Sequence, residues 1–151
     1  CIITSLNGVV KDDIIKIIRS RDTYQDIKIF PVTVQGSSAA KSISQSITHI
    51  NKYYNFDVLI IARGGGSLED LWPFNEEIVA RSIFESRIPI ISAIGHETDY
   101  TIADFVSDKR ASTPSEAAEI ISINQQEVLI YLDELFSRME SSINNIFDKN
   151  Q

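Results

Sequence analysis

The chain has 151 residues, of which 43% are hydrophobic and 23% are charged, a composition typical of one globular domain and not of a disordered chain. Its single cysteine excludes an internal disulfide framework and a zinc site built on cysteines. No apolar run approaches the roughly 20 residues that cross a bilayer. We therefore expect a soluble, cytoplasmic protein with no membrane partner.

The net charge of −7 ordinarily disfavours a nucleic-acid ligand, because phosphates bind basic surfaces. The excess is uneven, however, since residues 114–151 contain seven acidic and two basic side chains. The chain also opens on the apolar residues Cys1, Ile2 and Ile3 in place of a methionine. We expect from this that it is a domain cut from a longer polypeptide.

Short apolar runs alternate with stretches of helical period along the first 105 residues. The runs predicted as strands are 1–4, 27–34, 57–62 and 88–94, and helical spacing follows the first three of them. Pro31 inside the second run indicates an edge strand or a bulge. This order predicts an α/β fold, a parallel sheet of about four strands flanked by helices.

The segment after residue 112 differs in kind. Thr113, Pro114 and Glu116 match a helix start with a capping box, and neither proline nor glycine follows. Apolar residues then recur at heptad-like spacing, at Val128, Leu132, Leu135, Met139 and Ile146. We predict an α/β domain over 1–112 and, over 113–151, one long helix that forms the root of a coiled-coil arm, with a helix folded back onto the sheet as the alternative.

Arg63 and a run of glycines directly follow the most apolar predicted strand. The glycines Gly64, Gly65 and Gly66, followed by Ser67, allow backbone amides to approach a ligand closely, and an arginine fork matches phosphate oxygens. Ligands of parallel sheets bind beyond the carboxyl ends of the strands. The loop is therefore predicted to bind phosphate, although a tight turn that simply needs glycine is the alternative.

A histidine with two nearby carboxylates follows the last predicted strand. His96 is predicted as a general acid or base oriented by Asp99, or as part of a metal site with Glu97 and Asp99. A purely structural histidine is the alternative. Asp13 lies on the apolar stripe of the first helix, where it would pair with Arg63 or His96, or else be a solvated residue at the margin of the stripe.

Other residues carry weaker signals. Trp72 is predicted as a core residue, with stacking on a base as the alternative. His49 lies in an isoleucine-rich helix far from the loops and is predicted to be structural. Four scattered basic residues are predicted as plain surface, with a basic lining of the site as the alternative, namely Arg81, Arg87, Lys109 and Arg110.

Three long motifs in one order make the sequence similar to the large-subunit family of exodeoxyribonuclease VII, a bacterial single-strand DNA nuclease. The motifs are ARGGGSLEDLWPFNEE at 62–77, SRIPIISAIGHETDYTIADFVSD at 86–108 and RASTPSEAAE at 110–119. Weaker agreement at 3–8 and 31–36 extends the resemblance over nearly the whole chain. Ser112 replaces a proline common in the family, at a position that is no site residue.

The resemblance implies hydrolysis of single-stranded DNA from both ends to oligonucleotides, by a large subunit that binds several copies of a small helical subunit through a coiled coil. It places the catalytic residues on Asp13, Arg63, His96 and Asp99, and implies that no divalent metal is required.

Two alternatives remain at this point. In the first, the nuclease is metal-assisted and Asp13, Glu97 and Asp99 are oxygen ligands. In the second, the chain is a non-catalytic assembly module whose glycine loop merely binds a phosphate or nucleotide.

Overall fold

A computed structural model describes residues 1–6, 8–22, 24–65, 68–96, 98–122 and 125–149. Five parallel strands form one sheet in the order β2-β1-β3-β4-β5. The strands are β1 (Ile2–Thr4), β2 (Ile29–Pro31), β3 (Leu59–Ala62), β4 (Ile90–Ala93) and β5 (Lys109–Arg110). The α/β class is confirmed, and the predicted count of about four strands is corrected to five.

In the described part of the chain, six α-helices and one 3-10 helix connect or follow the strands. They are α1 (Val10–Arg21), α2 (Ala39–Tyr53), the 3-10 helix (Leu68–Asn75), α3 (Glu77–Phe84), α4 (Ile102–Val106), α5 (Pro114–Ile121) and α6 (Gln125–Lys149). None of the helices in the described part of the chain is both long and apolar enough to span a bilayer.

Alternate residues of the strands supply two separate cores, because successive side chains point to opposite faces of a sheet. On one face Ile2, Ile60 and Ile91 pack with α1 and α5. On the other face Ile3, Ile61 and Ile90 pack with α2, α3 and α4. Both faces are covered, which explains why the central strands are continuously apolar in sequence.

Strand β2 lies at an edge of the sheet, and this confirms the edge position that Pro31 indicated. The chain passes from β2 on one side of β1 to β3 on the other side. The strand order therefore reverses at β1 and β3, and the crevice beyond their carboxyl ends is the usual ligand site of such a sheet.

The prediction of one continuous helix from Thr113 is wrong. Thr113 does cap a helix by accepting from the amide of Glu116 at 3.1 Å, but α5 ends at Ile121 and Ser122 is extended. Two contacts explain the stop: Gln25 donates to the carbonyl of Ile121 at 2.7 Å, and the Ser122 hydroxyl donates to the carbonyl of Ala118 at 2.6 Å.

Helix α6 is a separate element of 25 residues, about 37 Å long at 1.5 Å per residue. Val128, Leu132 and Met139, three members of the predicted heptad stripe, are 42% to 58% exposed. The side chain of Ile146 lies outside the described residues. The coiled-coil arm and the division of the chain at residue 112 remain predictions.

Candidate active site

A cleft of about 680 Å³ lies beyond the carboxyl ends of β1, β2 and β3. It is lined by the residues that follow those strands together with the start of α1, namely Ser5, Leu6, Gly8, Val9, Val10, Val32, Thr33, Val34, Gln35, Arg63, Gly64 and Gly65. Its volume is in the range of small-molecule and cofactor sites. The cleft thus occupies the place where the strand order predicts a ligand.

Arg63 lines this cleft yet is only 4% exposed. Its Nη2 lies 3.2 Å from Oδ2 of Asp70, in the 3-10 helix, and Gln35 donates to the same oxygen at 3.0 Å. One carboxylate oxygen of Asp70 therefore holds two side chains, the arginine that follows β3 and a glutamine from the loop after β2. A buried guanidinium held in this way is oriented before any ligand arrives, so it can bind an anion with little loss of side-chain freedom.

The glycine loop packs against the first turn of α1. A Cβ placed on Gly64 would lie 3.0 Å from Cγ2 of Val10, whereas a Cβ on Gly65 would meet nothing within 4 Å. A side chain at position 64 would therefore be in tight contact with Val10, whereas the space beside Gly65 is open. Gly66 and Ser67, the other two predicted phosphate-binding residues, lie outside the described residues.

His96 and Asp99 form a tight turn beyond β4. The amide of Asp99 donates to the carbonyl of His96 at 3.0 Å, and Nδ1 of His96 lies 4.0 Å from Oδ2 of Asp99. The side chain of His96 is 73% exposed and that of Asp99 is 29% exposed. The histidine is therefore accessible to substrate, with a carboxylate on the side of its Nδ1. Glu97 lies outside the described residues.

Arg63 and His96 share one edge of the sheet. Strands β3 and β4 are neighbours with Ala62 opposite Ala93, and the amide of Arg63 donates to the carbonyl of Ala93 at 3.2 Å. Arg63 is one residue beyond its strand and His96 is three residues beyond the adjacent one. The predicted phosphate-binding residue and the predicted acid–base residue thus follow adjacent strands, at one edge of the sheet.

Asp13 is exposed in the first turn of α1, and it is not a lining residue of the cleft. Within the described part of the chain, the structure places no ion pair between Asp13 and either Arg63 or His96. Asp13 is therefore solvated, as the alternative interpretation of its position in the helix predicted. Asp13 does share the functional edge, because α1 begins there and Val10 contacts the glycine loop. Its catalytic role stays a prediction.

Arg110 holds the turn that carries His96 and Asp99, and the prediction that it is plain surface is wrong. From β5 its Nη2 donates to the carbonyl of His96 at 2.6 Å and to that of Asp99 at 3.4 Å. Its Cζ lies 4.0 Å from the centre of the Tyr100 ring, a cation–π contact. The signal that sequence reasoning lacked was β5 itself, which places residue 110 beside Ser92 on β4.

A buried polar network lies behind this turn. Asp104 accepts from the hydroxyls of Ser92 and Thr101 and from the amide of Thr101, and its Oδ1 lies 4.0 Å from Nε of Arg110. The motif Thr101-Ile-Ala-Asp104 is a capping-box pattern, so it signalled the start of α4. Neither the start of α4 nor the contact between Asp70 and Arg63 was predicted from the sequence.

The metal alternative has no support from clustering in the part of the chain that the structure describes. No three histidine, cysteine, aspartate or glutamate residues there lie close enough together to hold a metal ion. Glu97, one of the three proposed oxygen ligands, is outside that part, so the metal alternative stays a prediction. The described residues offer an arginine fork, backbone amides and an exposed histidine.

Comparisons with known proteins agree on one family. The family described as "Exonuclease VII, large subunit" matches residues 1–151. The exodeoxyribonuclease 7 large subunit of Caldanaerobacter subterraneus subsp. tengcongensis is 53% identical over 146 residues, which cover 94% of this chain and 36% of that protein. The protein of the same name from Clostridioides difficile is 51% identical over 150 residues, covering 99% and 37%.

A third relative has a similar identity. The exodeoxyribonuclease 7 large subunit of Pasteurella multocida is 52% identical over 146 residues, covering 97% of this chain and 33% of that protein. The chain thus spans about a third of the length of the curated relatives it matches.

Proposed function

The chain belongs to the exonuclease VII large-subunit family, and from that membership we propose that it is the catalytic domain of an exodeoxyribonuclease. It acts on single-stranded DNA, from both ends, and releases oligonucleotides. The observation that carries the proposal is that a buried, oriented Arg63 follows β3 and an exposed His96 follows the neighbouring strand β4, at the same edge of the sheet.

Phosphodiester hydrolysis needs a positive group that stabilises charge on the phosphoryl oxygens. Arg63 and the amides of Gly64 and Gly65 meet that need, since they line one cleft and the arginine is already fixed by Asp70. Hydrogen-bond donors held in place before the reaction cost no reorganisation as charge develops. In our proposal Gly66 and Ser67 extend this cradle.

In our proposal His96 is the general acid or base. It removes a proton from the attacking group or delivers one to the leaving oxygen, with Asp99 holding the imidazole so that Nε2 faces the DNA. The distance of 4.0 Å between Nδ1 and Oδ2 is longer than a hydrogen bond. We expect this distance to shorten when DNA binds, because catalytic hydrogen bonds often tighten only in the complex with substrate. Asp13 orients the attacking water or the arginine.

The proposed reaction requires no divalent metal. Arg63 and the glycine amides supply the positive charge that a metal ion supplies in other nucleases.

The chain is acidic, with a net charge of −7, so we further propose that additional binding energy for DNA comes from parts of the full subunit outside this chain. Small subunits would bind to a coiled coil that α6 begins, several copies to each large subunit, and the apolar stripe of α6 supports that assignment.

Degradation of end-labelled DNA tests the proposal. The full-length subunit with its small subunit is incubated with single-stranded or double-stranded DNA, in EDTA and in Mg²⁺. Two histidine variants accompany the wild type: His96→Ala, and His49→Ala as the matched control, because His49 is the only other histidine and lies on α2 against Tyr53.

We expect the wild type and His49→Ala to degrade only single strands, in EDTA as well as in Mg²⁺. His96→Ala should bind DNA and cleave it at least about 100-fold more slowly. Cleavage that requires Mg²⁺ would instead assign Asp13, Glu97 and Asp99 to a metal. Cleavage by His96→Ala at the wild-type rate would contradict the role of that histidine, and absence of cleavage in all conditions would favour an assembly module.

A further inference from the structure

Trp72 is held outward by a rigid segment. It is 70% exposed, although Leu71 beside it is 6% exposed and Phe74 is fully buried. All three belong to the same 3-10 helix, whose buried residues pack into the core below α2 and α3. The prediction that Trp72 is a core residue is therefore wrong. The indole is accessible to a ligand, and its apolar face and polar N–H can both contribute to binding.

The indole borders a hollow of about 360 Å³ next to the cleft. The hollow is lined by Gly36, Ser37, Ala40, Glu69, Trp72, Pro73 and Glu76. Gly36 shapes it through a positive φ of 80°, which favours glycine. One wall is therefore a flat aromatic ring, and two carboxylates face the same space.

Two connections join this hollow to the cleft at Arg63. The loop after β2 lines both, with Gln35 in the cleft and Gly36 in the hollow. The 3-10 helix also contributes to both. Its Asp70 lies 3.2 Å from Arg63, which lines the cleft, and its Trp72 lines the hollow. The cleft and the hollow therefore share the loop after β2 and the 3-10 helix.

We propose that Trp72 stacks on an unpaired base of the DNA strand adjacent to the scissile phosphate, and that this contact selects single strands. The inference rests on the proposed nuclease function. Glu69 and Glu76 disfavour a phosphate in the hollow, because the charges are alike, but they accept hydrogen bonds from the exocyclic amino groups of cytosine, adenine and guanine. Aromatic stacking accepts any base whose face is free, and the faces in a duplex interior are already stacked.

Fluorescence of the full-length subunit with its small subunit measures the contact. The emission of Trp72, the only tryptophan of this chain, is the part that is lost in Trp72→Phe. We expect oligo(dC) to quench its emission, and oligo(dT) to quench less at the same concentration, since thymine has no exocyclic amino group. Equal quenching by oligo(dC) and oligo(dT) would contradict the proposed hydrogen bonds from the base to Glu69 and Glu76. No quenching by any oligonucleotide that binds the chain would overturn the stacking.

Kinetics of the full-length complex give the second test. Trp72→Ala should raise KM for single-stranded DNA about tenfold with kcat within twofold of the wild type, and Trp72→Phe should recover most of the loss, as expected for a stacking platform. Phe84→Ala is the matched control, because Phe84 is an aromatic side chain with 80% exposure at the end of α3, outside both the cleft and the hollow. It should cleave with the wild-type KM.

The outcomes separate this inference from the proposed function. An active enzyme whose KM is unchanged by Trp72→Ala contradicts the stacking and leaves the nuclease in place. Loss of the small subunit from Trp72→Ala, without a change in KM, identifies a protein contact and likewise overturns the inference. A wild type that never cleaves DNA contradicts the nuclease, whereas quenching of Trp72 by oligo(dC) would still support base stacking.

Discussion

Asp70 lies 3.2 Å from Arg63, and through this contact a 3-10 helix orients the side chain at the end of β3. The arginine side chain is 3% exposed and the aspartate 29%. Because a guanidinium stays charged, removal of its carboxylate leaves a buried charge with one partner fewer, which is far more costly than loss of a surface ion pair.

We predict that Asp70→Ala lowers the free energy of unfolding by about 2 kcal/mol and the rate of DNA cleavage by at least about tenfold. Asp70→Asn should lose less, since an amide oxygen still accepts from Arg63. Glu77→Ala is the control, because its ion pair with Arg81 is exposed on α3 and should be worth about 0.5 kcal/mol or less. Urea unfolding measures all three, and equal losses for Asp70→Ala and Glu77→Ala would contradict the anchoring role.

The fold was largely predictable because its central strands are buried on both faces. Such strands read as continuous apolar runs, and the runs at β1, β3 and β4 were identified for that reason. Strand β5 could not be found in this way, because it consists of Lys109 and Arg110 and pairs with β4 through long-range contacts. The end of α5 was missed for a similar reason: Gln25, which binds the carbonyl of Ile121, is 96 residues away.

The candidate site was predictable to the level of one sheet edge. Parallel topology alone brings the residues after β3 and β4 together, so Arg63 and His96 were expected near each other. The contacts that orient them were not, since Asp70 and Arg110 act through side chains placed by the tertiary fold. Local spacing also suggested an ion pair for Asp13 that does not form in the described structure.

Two neighbouring carboxylates in α1 provide a sharp test of Asp13. Asp12 and Asp13 both lie in the first turn and are exposed, and Asp12 pairs with Lys11 at 3.3 Å. Both interact with the same helix terminus, so Asp12→Asn and Asp13→Asn should each lower the free energy of unfolding by at most about 1 kcal/mol. If Asp13 orients the attacking water, only Asp13→Asn slows cleavage, by about 100-fold. Equal cleavage rates for Asp12→Asn and Asp13→Asn would contradict a role of Asp13 in catalysis.

Gly95 allows the turn between His96 and Asp99 to close. A Cβ at position 95 would overlap the carbonyl oxygen of Asp99 and would lie 3.2 Å from its carbonyl carbon. We predict that Gly95→Ala displaces Asp99, lowers the free energy of unfolding by about 1–3 kcal/mol and abolishes most cleavage. Gly65→Ala is the control for stability, because its Cβ would meet nothing within 4 Å. Thermal unfolding should separate the two, and a Gly95→Ala protein as stable as Gly65→Ala would contradict this account of the turn.

Arg110 should act on catalysis by position and not by touching DNA. Its guanidinium contacts two carbonyls, those of His96 and Asp99, while its face lies over Tyr100, and a lysine cannot reproduce this fork geometry. We predict that Arg110→Lys lowers kcat about 10- to 100-fold, because a small displacement of a catalytic group has that effect, with KM for single-stranded DNA unchanged. Lys109→Ala, an exposed neighbour on the same strand, should keep both constants. A rise in KM with normal kcat in Arg110→Lys would show instead that the arginine binds DNA.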